Sequence, residues 1–201
     1  MLLKINQRMA KIRRRFRKDE SGVSAIEFAF LGGPFLFLLL ATFETGLNFL
    51  TEYSLQNATT NASRLIRTGQ VQNGGISAAE FKTELCKHVP GFMNCNSKVI
   101  VNVDTRADFG AAGNRTQAGD GSGNLNNNLQ NSPAFVPGGP GQIVVVETFY
   151  EQKMYVPFIN KLLALNGEVS RPNFLANHGD DKRLIVGVAV FQNEPFNPSG
   201  N

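Results

Sequence analysis

Glu27 is the one ionisable residue in the apolar stretch VSAIEFAFLGGPFLFLLLATF, which covers residues 23–43. A carboxylate inside a membrane span costs roughly 2.5–3.5 kcal/mol on insertion scales, so its presence indicates a function. Glu27 follows Val23 by four residues, which places the two on one face of a helix, one turn apart. The alternative is that Glu27 lies near the end of the span and extends its carboxylate to the lipid headgroups.

Cys86 and Cys95 are the only two cysteines of the chain. On the oxidising side of a membrane, such a pair predicts a disulfide. The other chemistry open to these residues is metal binding together with His88. Structural zinc sites use four ligands, however, and the C-x-x-C spacing is missing here. We therefore predict the disulfide and no metal site.

Motifs that would indicate an enzyme are missing from the sequence. There is no nucleophile elbow, P-loop or H-E-x-x-H, and the acidic residues are dispersed. The segment from Asp120 to Asn126 lacks the glycine and the bidentate glutamate that a calcium loop requires. We expect no catalytic residues and no cofactor.

The positive charge of the chain is concentrated in its first residues. Residues 1–18 carry eight of the 20 cations and no acid, whereas the other 183 residues carry 12 cations and 16 acids. The sequence pI of about 9.2 therefore describes a short basic head. It is poor evidence for nucleic-acid binding, and we expect no nucleic-acid partner.

The stretch 23–43 is predicted to form a transmembrane helix. At 1.5 Å per residue it spans about 31 Å, the thickness of the hydrocarbon core of a bilayer. Because basic residues stay in the cytoplasm, the leader 1–22 is predicted to lie inside and the chain after Phe43 to be exported. The alternatives are a buried helix of a soluble protein and a cleaved secretory signal peptide, whose apolar region is usually shorter.

Residues 21–28 (SGVSAIEF) resemble the processing site of class III signal peptides, those of type IV pilins. That pattern is a basic leader ending in glycine, then four residues, then glutamate and an aromatic residue, here Gly22, Glu27 and Phe28. The resemblance implies that a prepilin peptidase cuts between Gly22 and Val23. Glu27, with Phe28 beside it, would then dock the new ammonium at Val23 of its own or an adjacent subunit.

The closest resemblance is to the TadE-like family, in the Flp pilin and pseudopilin branch of the tight-adherence (Tad) system. It rests on Pro34 in the span, on Glu44-Thr45-Gly46, on the stretch 55–70 (LQNATTNASRLIRTGQ) and on the closing strand and Asn-Glu-Pro turn at 186–196. The implied function is that of a minor pilin or pseudopilin for assembly of Tad/Flp pili, which supports surface adherence.

The same resemblance implies a location and partners. The protein would cross the bacterial inner membrane once, with its N-terminus in the cytoplasm and its C-terminal domain in the periplasm. Its partners would be a prepilin peptidase, other Tad pilins, the inner-membrane platform proteins and the lipid bilayer. Whether it enters the filament, caps its tip or stays in the platform is left open.

The exported part is predicted to have an α+β fold, in which the long N-terminal helix packs on a small, mostly antiparallel sheet. The predicted divisions are a juxtamembrane helix over 44–69 and an α+β domain over 70–201, with a flexible loop at 106–141. A capping box at Ser77 and Glu80 predicts a second helix. The predicted strands are Lys98–Asp104, Gln142–Phe149 and Arg183–Gln192, and a short helix is predicted over Val156–Leu165.

A second function stays open on the sequence alone, that of an uncleaved, membrane-anchored periplasmic binding or adhesion module. In such a module Glu27 would have no role in assembly. The N-terminus of the mature protein distinguishes the two functions, because processing would leave a chain that begins at Val23.

Overall fold

The structure is a computed structural model that describes residues 22–113, 118, 125–155 and 182–197. The chain divides into two units, Met1–Phe43 and Glu44–Asn201. Helix α1, Val23–Arg67, contributes its first 21 residues to the first unit and the remainder to the second. The predicted helix over Val156–Leu165 lies outside the described residues.

Helix α1 ends at Arg67, two residues before the predicted end of the juxtamembrane helix at residue 69. Gly69 adopts the left-handed conformation with φ 77°, and its N–H donates to the carbonyl of Ile66 at 3.0 Å. Glycine adopts this conformation without the steric penalty of a Cβ, so it is the common residue just after a helix. Arg64 and Arg67 lie in the last turn, where their positive charges interact favourably with the partial negative charge at the C-terminal end of the helix.

In the described part of the chain, four shorter α-helices follow α1, together with two short 3-10 helices at Gly91–Met93 and Ala111–Gly113. The four α-helices are α2 (Gln70–Gly74), α3 (Ala78–Cys86), α4 (Cys95–Lys98) and α5 (Asn127–Asn131). The predicted capping box starts α3, because the Ser77 hydroxyl accepts from the Glu80 N–H while the Glu80 carboxylate accepts from the Ser77 N–H. Hydrogen bonds from the Ser77 backbone N–H and hydroxyl lower the pKa of Glu80.

Three antiparallel strands form one sheet, in the order β1 (Val99–Arg106), β2 (Ile143–Lys153) and β3 (Lys182–Gln192). The central strand β2 is buried from Val144 to Tyr150, on both of its faces. This burial explains why its sequence reads as a continuous apolar and β-branched run. The predicted α+β class and antiparallel sheet are confirmed. Strands β1 and β2 each begin one residue later than predicted and end two and four residues later, whereas β3 begins one residue earlier and ends as predicted.

The main core lies between the second half of α1 and one face of the sheet. The apolar side chains of α1 recur at three- and four-residue steps and contribute Leu55, Ala58, Ala62 and Ile66, all almost fully buried. The sheet contributes Val99, Val101, Val103, Val144, Val146, Tyr150 and Ile185, and α3 adds Phe81 and Leu85. The periodicity of α1 therefore matches its buried face.

The segment 106–141, predicted as a flexible exposed loop, contains more structure than expected. Strand β1 continues to Arg106, and Phe135 forms a bridge with Val103. Leu125 and Leu129 are buried against Phe149, on the sheet face opposite α1. An apolar side chain on that face must be shielded from water by another part of the chain, and this segment shields Phe149. Its Gly- and Asn-rich composition hides the two leucines from a pattern-based prediction.

Candidate assembly and membrane-anchoring site

The first part of α1 has the character of a membrane span. One helix among the described residues is long and apolar enough to cross a membrane, and its apolar window is 0% buried. A core helix of a soluble protein would be mostly buried. Large side chains are exposed along the whole window, including Ile26, Phe30, Leu31, Phe35, Leu38 and Leu40.

The residues of the predicted processing and docking site lie at the start of this helix. Helix α1 begins at Val23, directly after Gly22, and no atom lies within 4 Å of where a Cβ on Gly22 would be. The side chains of Glu27 and Phe28 are exposed. Because four residues separate Val23 and Glu27 on one helix, an ammonium at Val23 would lie one turn from the Glu27 carboxylate.

Glu44 joins the start of the second unit, Glu44–Asn201, to the end of β2. The residue is only 8% exposed, and its carboxylate accepts a hydrogen bond from the backbone N–H of Tyr155. One turn later the amide of Asn48, also buried, donates to the sulfur of Met154 at 3.6 Å. The end of β2 is therefore held against the first turns of α1 that follow Phe43. This contact gives Glu44, the first residue of the Glu44-Thr45-Gly46 motif, a structural role.

Small polar residues of α1 form a close contact with the sheet. The hydroxyls of Thr59 and Thr148 lie 2.6 Å apart, and Thr59 also donates to the carbonyl of Leu55 at 2.7 Å. A Cβ on Gly187 of β3 would lie 2.6 Å from each of these two hydroxyl oxygens. Helix and sheet approach so closely here because glycine has no side chain.

Gln56 of α1 binds the outer edge of β3. Its amide nitrogen donates to the carbonyl of Val188 at 2.9 Å, and its amide oxygen accepts from the N–H of the same residue at 3.0 Å. At the opposite edge of the sheet, the N–H and the carbonyl of Val103 in β1 are also both hydrogen-bonded, here to backbone groups. Its N–H donates to the carbonyl of Ala134 at 2.8 Å, and its carbonyl accepts from Val136 at 2.9 Å.

The Asn-Glu-Pro turn contacts the C-terminal end of α1. The N–H of Glu194 donates to the carbonyl of Arg67 at 2.9 Å, and the two side chains form an ion pair of 3.2 Å. The ring of Phe196 lies against Gly69, where a Cβ would come within 2.4 Å of it. The stretch 55–70 and the turn after β3 are thus two sides of one contact.

Cys86 and Cys95 form the predicted disulfide, with their Cα atoms 5.6 Å apart. The bond joins the last residue of α3 to the first residue of α4, which leads directly into β1. Since both sulfurs are bonded to each other, neither is available as a thiolate ligand. The alternative of a metal site with His88 therefore loses two of its three candidate ligands.

Reduction of this disulfide is expected to lower the free energy of unfolding by about 2–3 kcal/mol, because it releases a short loop in the unfolded chain. Urea unfolding of the full chain in detergent, with and without reductant, measures the difference. The Cys86→Ala/Cys95→Ala double variant serves as the control and should not respond to reductant. Equal stability of the wild type in both conditions would contradict the prediction.

Residues 22–64 match the family model described as TadE-like protein. This segment is TadE-like. The match begins at Gly22, covers nearly all of α1 and confirms the resemblance to a family associated with the Tad pilus. No match was found to a curated protein or to a solved structure. The resemblance of the strand and turn at 186–196 lies outside the TadE-like segment.

Two contacts of this site are not evident in the sequence. The bond from Tyr155 to Glu44 joins residues 111 positions apart, and Gln56 and Val188 are separated by 132. Neither pair has a local signal. The close contact at Gly187 does have one, because an isolated glycine within a strand pattern indicates close approach of another chain segment.

Proposed function

We propose that this protein is a membrane-anchored minor pilin or pseudopilin that takes part in assembly of Tad/Flp pili and so supports surface adherence. The observation that carries the proposal is the coincidence of the TadE-like segment with α1. The side chains of the apolar first half of that helix are not buried by the rest of the protein, whereas its second half packs on the sheet. Such a helix suits a subunit that is held in a bilayer and carries a folded exported unit.

The basic head supports an orientation with the N-terminus in the cytoplasm and the exported unit in the periplasm. Cleavage by a prepilin peptidase between Gly22 and Val23 would remove the head and leave α1 whole, because α1 begins at Val23. The product would keep its membrane span. These two features support single-pass anchoring in the bacterial inner membrane.

Glu27 is the proposed docking residue. After cleavage, the ammonium of Val23 would sit at the positive end of the helix dipole, one turn from the Glu27 carboxylate. A charge in lipid is far less costly when it is paired, so an incoming subunit gains most where its ammonium meets a carboxylate. In this role Glu27 orients subunits and performs no catalysis. The partners are other Tad pilins and the inner-membrane platform proteins.

Gly22→Val is expected to block processing, because a peptidase subsite that admits glycine has no room for a branched side chain. The blocked species should be about 2.5 kDa heavier than the processed one, at roughly 110 Da for each leader residue. Immunoblotting of membrane fractions measures the shift. N-terminal sequencing of the wild type should begin at Val23.

Gly33→Val is a matched control, because a Cβ at Gly33 also meets nothing within 4 Å but the residue lies eleven positions away. It should be processed normally. The proposal fails if Gly22→Val migrates like the processed form. A wild-type protein that keeps residues 1–22 would instead favour the uncleaved periplasmic binding or adhesion module.

A further inference from the structure

The exported unit contains a cavity of about 710 Å³ at the end of β2. Its described lining includes Leu47 of α1, Lys98 before β1, Lys153 and Tyr155 at the end of β2, and Lys182 at the start of β3. None of the functions discussed above uses this cavity. Its position and its charge indicate what it binds.

The cavity lies close to the point where α1 leaves the predicted span. Tyr155 is hydrogen-bonded to Glu44, which directly follows Phe43, the last apolar residue of the stretch. Leu47 is four residues beyond Phe43, or about 6 Å along a helix. The polar layer on each side of a hydrocarbon core is about 5–8 Å deep. With Phe43 at the edge of the hydrocarbon core, Leu47 and the Tyr155 backbone that is bonded to Glu44 would lie at the level of the lipid headgroups.

The described lining is cationic. It contains three lysines and one carboxylate, Glu151, which pairs with Lys182 at 3.3 Å. Among the described residues, no carboxylate lies within 4.0 Å of Lys98 or Lys153, and both lysines are exposed. The chain after Phe43 holds 12 cations and 13 acids, so this excess of lysine is local.

Exposed apolar and aromatic side chains accompany the lysines. Tyr155 is 77% exposed, and the ammonium of Lys153 lies 6.0 Å from the centre of its ring. Leu47 and Phe49 are 50% and 67% exposed on the first turns of α1 after Glu44. Tyrosine at the edge of a bilayer places its ring among acyl carbons and its hydroxyl in water. This mixture of lysine and tyrosine suits a lipid surface better than it suits bulk water.

We propose that this cavity binds the phosphate headgroup of an anionic phospholipid in the leaflet where α1 leaves the membrane. Lys98 and Lys153 would contact the phosphate, while Leu47 and Tyr155 would contact the upper acyl chain. The proposal rests on the membrane anchoring proposed above. Its consequence is that the residues around the cavity would hold a lipid headgroup before assembly.

The test uses the full chain in nanodiscs that hold one copy each, so that a second copy cannot occupy the cavity. The chain has no tryptophan, so Tyr155→Trp provides a single fluorescent reporter at the mouth of the cavity. Quenching is measured with nitroxide-labelled phosphatidylglycerol in unlabelled phosphatidylcholine, and then with nitroxide-labelled phosphatidylcholine. We expect quenching to be several-fold stronger with the labelled anionic lipid.

Lys98→Gln and Lys153→Gln, introduced into the reporter chain, should each weaken the preference about fivefold, the effect expected of one lysine near an anionic surface. Lys82→Gln/Lys87→Gln removes one charge from α3 and one from the residue after it, both outside the lining, and should leave the preference unchanged. Equal quenching by the two labelled lipids would overturn the proposal. So would equal effects of the cavity and α3 variants, which would indicate attraction by net charge alone.

Two further outcomes are distinguishable. If inorganic phosphate removed the preference while chloride at the same ionic strength did not, the cavity would bind free phosphate, and the lipid proposal would be wrong. If the reporter chain failed to float with lipid vesicles, the membrane anchoring itself would be wrong. A chain that floats and shows no headgroup preference contradicts only the cavity proposal.

Discussion

Replacing Glu27 with alanine is expected to give a processed, membrane-bound protein at normal abundance that no longer supports surface fibres or adhesion. Glu27→Ala makes the span more apolar, so insertion should be unharmed or improved. Cleavage should also continue, because the bond between Gly22 and Val23 lies a full turn away. The step that fails is incorporation, since an incoming ammonium would have no carboxylate to meet.

The expected effect is large because the pair forms in a low-dielectric environment. Removing one partner of a buried ion pair leaves an uncompensated charge and costs about 3–5 kcal/mol. Glu27→Asp keeps the charge but shortens the side chain by one methylene, so an intermediate number of fibres is expected. Electron microscopy of whole cells and a surface-attachment assay measure both variants, with immunoblots to verify processing and abundance.

A matched control distinguishes loss of the Glu27 charge from loss of any exposed side chain on this part of α1. Phe30→Ala changes another exposed residue of the same helix, three positions along, without altering a charge. Its fibre count should stay well above that of Glu27→Ala. Normal fibres and attachment in Glu27→Ala would mean that the carboxylate only extends to the headgroups, and the docking role would be withdrawn.

The second large effect is expected at Gly187, where Gly187→Ala should destabilise the exported unit by about 1–3 kcal/mol. The added Cβ would lie 2.6 Å from the hydroxyl oxygens of Thr59 and Thr148 and 3.3 Å from the carbonyl of Leu55. Side-chain rotation cannot relieve the contact with a backbone carbonyl, so α1 must move away from β3. Urea unfolding of the full chain in detergent, followed by circular dichroism, measures the loss.

Gly91→Ala is the matched control, because a Cβ at Gly91 meets nothing within 4 Å. Its stability should stay within about 0.5 kcal/mol of the wild type, as for most surface substitutions. In a Thr59→Ala background, Gly187→Ala should cost less than it does alone, because one of the contacts has been removed. If Gly187→Ala and Gly91→Ala were equally stable, the close approach of α1 and β3 would be wrong.

Features governed by neighbours in sequence were predictable here. The capping box at Ser77 and Glu80 and the three strands depend on residues a few positions apart, where patterns are informative. The disulfide was predictable because there are only two cysteines and the predicted compartment is oxidising. The family resemblance likewise rests on local patterns, such as those at residues 21–28, 44–46 and 55–70.

The parts that were not predictable depend on distant partners. Nothing near Glu44 indicates that its carboxylate binds the end of β2, because that end lies 111 residues away. Leu125 and Leu129 are two apolar residues in a polar, glycine-rich stretch, and only the three-dimensional fold shows that they cover Phe149. A buried polar contact or a short covering segment leaves no periodic signal for a sequence to display.

The two hydrogen bonds from Gln56 to Val188 place a side-chain amide where a fourth strand would put its peptide group. Val103 on the opposite edge is matched in the same way by the segment around Phe135. A strand arriving from another molecule would have to displace an internal bond near the middle of either edge. Joining of copies by sheet extension is thus discouraged at both edges of the sheet, whatever other surface the chain uses to contact a partner.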